Sequence, residues 1–162
     1  MYKNIIIAML LISLTLLISV GASTRSTVGI LGIPTVDLTY NGTKVIKDLT
    51  AGETLAFNDS VYIKSDGKWW KTDADAEATS KCAGIAVSSA SADSIVYVLM
   101  SGLIKDNSWS WTIGSEIYVS TDSGGLSESL PGAAKWVCFV GKALSSTVID
   151  VDPSKIIIQQ GP

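Results

Sequence analysis

The chain has 162 residues, 47% of them hydrophobic, and carries 12 basic and 15 acidic side chains for a net charge of −3. That length suits one domain with a sizeable core, and the charges are scattered, with no Lys/Arg cluster to neutralise a row of phosphates, so nucleic acid is not an expected partner. There is no histidine, which removes the usual base near neutral pH, the Ser/His and Cys/His nucleophile pairs and the commonest zinc ligand, leaving only paired-carboxylate chemistry formally open.

At the N-terminus, Lys3 precedes an uncharged apolar run from Ile5 to Val20, and Val20-Gly21-Ala22-Ser23 offers small residues for a signal-peptidase cut after Ala22. Residues 1–23 therefore read as a secretory signal peptide or, if uncleaved, as a membrane or filament-core helix. The sixteen residues of the run are long for a signal core and short for the roughly 20 of a spanning helix. Export places the chain outside the cell, on a cell surface or in a virion, with membrane contact only through residues 5–20. Residues 24–35, which mix Gly, Ser and Thr and end near Pro34, read as a linker or edge strand, and residues 36–162 as the β domain.

Within that domain, Val36 to Tyr40, Asn41-Gly42 and Lys44 to Lys47 predict a first hairpin. Thr54 to Phe57 and Ser60 to Lys64 lead into Asp66-Gly67, and Lys68-Trp69-Trp70-Lys71 returns as a second. Asp73 to Ala78 reads as one helical turn or an exposed acidic loop. Further strands are expected at Cys82 to Val87, Ser94 to Met100, Leu103 to Lys105, Ile117 to Ser120, Trp136 to Val140, Ala143 to Leu144, Val148 to Val151 and Ile156 to Ile158. With no amphipathic helix after the N-terminus, about ten short strands predict an all-β fold, a compact β-barrel or sandwich preceded by an N-terminal hydrophobic helix.

One unit occurs twice. Val61-Tyr62-Ile63-Lys64-Ser65-Asp66-Gly67 matches Ile117-Tyr118-Val119-Ser120-Thr121-Asp122-Ser123-Gly124 at an offset of 56, and Gly84-Ile85-Ala86-Val87-Ser88-Ser89 matches Gly141-Lys142-Ala143-Leu144-Ser145-Ser146 at 57. The pattern reads as an internal two-fold repeat or as the chance likeness of short β motifs. The two cysteines, Cys82 and Cys138, either pair as a disulfide permitted by export or remain buried thiols. Cys82 lies two residues before Gly84 and Cys138 three before Gly141, and this opposite parity predicts opposite strand faces, which argues against the bridge.

The run Leu49 to Leu55 with Val61 to Ala74 resembles a β module of phage tail-fibre, head-fibre and decoration-type proteins. Later segments fit in the same order: Ala83 to Ala86, Val98 to Gly102, Trp109 to Thr112, Ile117 to Thr121, Gly124 to Leu126 and Val140 to Ala143. The resemblance spans roughly residues 45–158 and implies a structural, often oligomeric β domain of virion surfaces or fibres, with no catalytic centre to carry over.

Trp69, Trp70, Trp109 and Trp111 are the candidate contact residues, for a subunit interface or a surface glycan, against the alternative that they fill the core. Strand alternation sends Trp69 and Trp70 to opposite faces and places Trp109 and Trp111 on one. Asp73, Asp75 and Glu77 lack the glycine and ligand series of a calcium loop, and Asn41-Gly42-Thr43 and Asn58-Asp59-Ser60 are formal glycosylation sequons that also read as turns. No serine lies in a nucleophile elbow and no glycine cluster opens a helix. No catalytic residue, cofactor or metal is assigned. The expected function is a non-enzymatic assembly module with copies of itself as neighbours, in a surface fibre, virion decoration or filament. The rivals are a pilin-like subunit retaining its N-terminal helix and an exported carbohydrate-binding module.

Overall fold

The computed structural model describes residues 39–161 apart from residue 47. The signal or anchor helix, the linker and the start of the expected first hairpin lie outside the described residues. Eleven strands and no helix are present among those described: β1 (Thr39–Ile46), β2 (Ser60–Ile63), β3 (Trp69–Lys71), β4 (Gly84–Ala86), β5 (Val98–Lys105), β6 (Glu116–Val119), β7 (Leu126–Ser127), β8 (Trp136–Val137), β9 (Phe139–Ser145), β10 (Val148–Val151) and β11 (Ile158–Gln159). All pairings between these strands are antiparallel.

The main sheet runs β3-β2-β4-β5-β10-β9-β6-β7, with β1 beside β5. This order is a doubling: β3-β2-β4-β5 is answered by β7-β6-β9-β10. Registers match as well, since Val61 pairs with Gly84 where Ile117 pairs with Gly141, and Ile63 pairs with Trp69 where Val119 pairs with Leu126. The change of offset from 56 to 57 falls in the hairpin turn, where Lys64 to Lys68 joins β2 to β3 and the one-residue-longer Ser120 to Gly125 joins β6 to β7. The turn glycines Gly67 and Gly124 have φ of 76° and 77°, a left-handed conformation that favours glycine.

The halves are buried differently. On β4 and β5, Ile85 and Leu99 pack into one cluster with Ile104, Ile117, Val140 and Ile149, whereas Ala86 and Val98 pack into a second with Leu55, Val61, Trp69 and Val96. Successive residues point to opposite faces, so this part of the sheet is covered on both. The residues equivalent to Ile85 and Leu99 are Lys142 and Asp150, register partners that are exposed. The second half therefore buries one face and turns the other to water.

The curled, half-barrel-like sheet returns to its starting edge. The Ser60 N–H donates to the Gly124 carbonyl at 2.8 Å, the Gly124 N–H donates to the Thr72 carbonyl at 2.8 Å, and the Ser60 hydroxyl reaches the Gly125 carbonyl at 3.2 Å. Ser60 and Thr72 are fully buried and their hydroxyls bond to one another, so two polar groups that would each be costly alone satisfy one another. Beside them Lys71 pairs with Asp59 at 3.2 Å.

Two expectations change. Asn41-Gly42 does not turn: it lies inside β1, where Gly42 pairs with Gly102 and the register then slips on either side of Lys44. The long neighbour β5 supplies a pairing edge along the whole segment, and a bulge absorbs the irregularity that a turn would have used. Ser94 to Met100 and Leu103 to Lys105, expected as separate strands, share one strand from Val98 to Lys105.

Gly84 and Gly141 occupy equivalent places in the two halves, and a Cβ at either would collide with a backbone carbonyl, that of Leu99 or of Asp150. Backbone cannot swing aside as a flexible side chain can. Gly84→Ala and Gly141→Ala should each cost about 1–3 kcal/mol or more in denaturant unfolding. Gly132→Ala, with nothing within 4 Å of the new methyl, should be neutral or stabilising by up to about 1 kcal/mol.

Candidate functional site

The tryptophans divide by the strand position each occupies. Trp69 is fully buried in the second cluster, opposite Ile63 on β2. Trp70, the next residue, faces the other way and is half-buried beside its register partner Tyr62. Its ring lies against the backbone of Gly52, where a Cβ would overlap it, and the Lys64 ammonium sits 4.1 Å from the ring centroid. Its Nε1 donates to the Asp66 carboxylate at 3.1 and 3.3 Å. The Asp66 carboxyl is held below its ordinary value, first by the Lys68 backbone N–H and then, against a small desolvation effect, by Trp70 and nearby lysines.

Trp109 and Trp111 share a packing face as expected, but in the irregular stretch between β5 and β6. Their centroids are 5.6 Å apart with planes tilted by 54°, and both rings rest on the main core cluster. The segment is held there by the Trp111 N–H, which donates to the Ser146 carbonyl at 2.9 Å. Of the four candidate rings, Trp70 alone combines an outward position with a polar surround. Gly52 and Lys64 occupy it.

Asp73, Asp75 and Glu77 do not converge. Asp73 Oδ1 accepts the Asp75 N–H, Asp75 pairs with Lys135 at 2.9 Å and Glu77 with Lys81 at 3.3 Å. Among the described residues no group of three or more Cys, Asp or Glu side chains is placed to hold a metal ion. A groove of about 430 Å³ lies elsewhere, with Lys44, Lys81 and Lys155 on its walls beside Asp152, and Cys82 and Met100 in its lining.

The cysteines depart from the expected opposite faces: both are buried in the same core cluster, as free thiols. The parity argument assumed unbroken alternation. In β9 it is broken by a bulge, where Ile117 pairs with Gly141 but Tyr118 pairs with Phe139, leaving Val140 as the extra residue. Cys82 precedes β4, and there Cys82 and Ala83 face different clusters. Burial raises both thiols above the ordinary cysteine value.

The surface also carries large apolar side chains that strand periodicity did not single out: Ile63, Ile95, Tyr97, Ile113, Leu130 and Leu144. Ile156 and Ile158, in the C-terminal segment expected as a strand, are 72% and 64% exposed, while Ile157 between them packs on the main cluster. Among the described residues β11 has one strand neighbour, β8, through Ile158 with Val137 and Gln159 with Trp136. No protein-family model matches the chain, and no curated protein matches it in sequence.

The two neighbouring tryptophans should separate in stability. Trp69→Ala, which empties a fully buried site, should cost about 3–5 kcal/mol, and Trp70→Ala about 1–2 kcal/mol, read from denaturant midpoints at constant m.

Proposed function

We propose that this chain is a non-enzymatic assembly module whose partner is a second copy of itself. The observation that carries the reading is the β11 edge. Among the described residues its backbone has a strand on one side only, and the tail exposes Ile156 and Ile158 at alternate positions. Proteins that must stay monomeric commonly blunt such an edge with charge, proline or a bulge. Here Pro153, Ser154 and Lys155 precede the pair, and Gln159 and Gln160 follow, so proline and charge stand before the exposed isoleucines and none lies between them. Pairing β11 with a neighbouring copy would satisfy its open backbone groups and bury both isoleucines.

The resemblance of residues 45–158 to fibre and decoration modules supports the same reading, and a surface fibre or virion coat is the setting proposed for the assembly. Export through residues 1–23 belongs to the proposal, as does the pilin-like alternative, which rests on residues outside those described. A carbohydrate-binding role would fall to Trp70, because Trp69, Trp109 and Trp111 are engaged in packing. Its ring is flanked by Lys64 and Gly52, which leaves less open face for a sugar than a binding platform needs.

Size-exclusion with light scattering on the purified chain should show a defined oligomer. Ile156→Lys with Ile158→Lys should shift it to monomer, with a change in folding stability within about 0.5 kcal/mol, since both sites are exposed. A wild-type chain that stays monomeric at high concentration, or a double variant that assembles as before, would refute the reading.

A further inference from the structure

Cys82 and Cys138 are the only two cysteines in the chain, lie 56 residues apart and belong to opposite halves of the doubled sheet. The structure nevertheless brings them into one buried cluster. Two connections strap their segments together: the Trp136 N–H donates to the Ala74 carbonyl at 2.9 Å, and Lys135 pairs with Asp75 at 2.9 Å. The Cys82 N–H donates to the Ser80 carbonyl at 2.9 Å, and charge on Cys138 would push the Cys82 thiol further up. The Val140 bulge is what turns Cys138 toward this cluster. Cys82 lines the lysine-walled groove, and the Cys138 sulfur is 3.9 Å from the carbonyl oxygen of Ser154, another lining residue.

We infer that Cys82 and Cys138 are a redox pair that closes to an intramolecular disulfide joining the two halves of the sheet. The oxidant is a small-molecule disulfide. One cysteine thiolate attacks a sulfur of the oxidant and expels one thiolate; the second attacks the mixed disulfide at the protein sulfur and expels the other. The two protons lost by the cysteines pass to the two departing thiolates, so one protein disulfide forms as one oxidant disulfide is reduced to two thiols. The thiolate is the reacting species, and burial disfavours it in the folded chain, so the bond is made while the core is still open and is then shielded from exchange. This pairing is independent of the assembly reading.

The test uses the full chain, unfolded and reduced, then refolded with oxidised and reduced glutathione and trapped with N-ethylmaleimide in denaturant. The expected product is a single chain about 2 Da lighter than the reduced protein with no maleimide adduct, gaining two adducts after reduction. Its Tm should exceed that of protein refolded under reductant by roughly 10 °C, because the bond closes a long loop. Cys82→Ala and Cys138→Ala should each melt at one temperature whatever the redox buffer. Two maleimide adducts on the refolded protein, a chain-to-chain disulfide, or a redox-dependent Tm in either single variant would overturn the inference.

Discussion

A sheet built from two like halves has two free ends, and here the turn from Ser120 to Gly125 joins them. Gly124 donates to the Thr72 carbonyl and accepts from the Ser60 N–H, tying the second hairpin's turn to the base of the first. A Cβ on Gly124 would press on side chains, at 2.9 Å from Asp59 Oδ1 and 3.2 Å from Lys71, and its φ is one that L-residues seldom adopt. Its symmetry mate, Gly67, has the same backbone geometry and open space around it. One turn has become a seam while the other has remained a turn. The extra residue of the longer copy sits in that seam turn.

The remaining asymmetry follows from which half has both faces covered. Ile85 and Leu99 lie against the core that the second half supplies, while their counterparts Lys142 and Asp150 face water. Burying both faces of β4 and the start of β5 also explains why Gly84 to Ala86 and Val98 to Met100 carry no polar side chain, whereas the exposed Lys142, Leu144 and Asp150 interrupt the burial of β9 and β10. The fold thus needs two different cores from one motif. Trp69 serves the second, and Leu126, its register equivalent, packs against the first.

The functional surface is what remains once these demands are met. Three of four candidate tryptophans are committed to packing, and the fourth is flanked by Lys64 and Gly52 and bonded to Asp66. Apolar side chains left outside are mainly aliphatic, and the tail carrying Ile156 and Ile158 leads into β11, which has one strand neighbour among the described residues. That combination suits pairing with another strand better than recognition of a small ligand.

The all-β class, the β2–β3 hairpin, the doubled unit and the opposite facing of Trp69 and Trp70 were legible in the sequence, because period-two alternation and Asp-Gly turn chemistry are local properties of a strand. The Asn41-Gly42 hairpin was misread because the same dipeptide can sit in a bulged strand when a longer neighbour pairs with it, and that neighbour is distant in sequence. The cysteines were misplaced for a related reason: one extra residue at Val140 reverses the alternation on which a facing argument depends. Exposure of Ile156 and burial of Ile157 were beyond reach until β11 met β8. Local sequence, then, determined strands, turns and the existence of a repeat. Tertiary structure alone decided which half is covered on both faces, which glycine lies in the seam and which cluster holds the two cysteines, since those depend on contacts between segments distant in sequence.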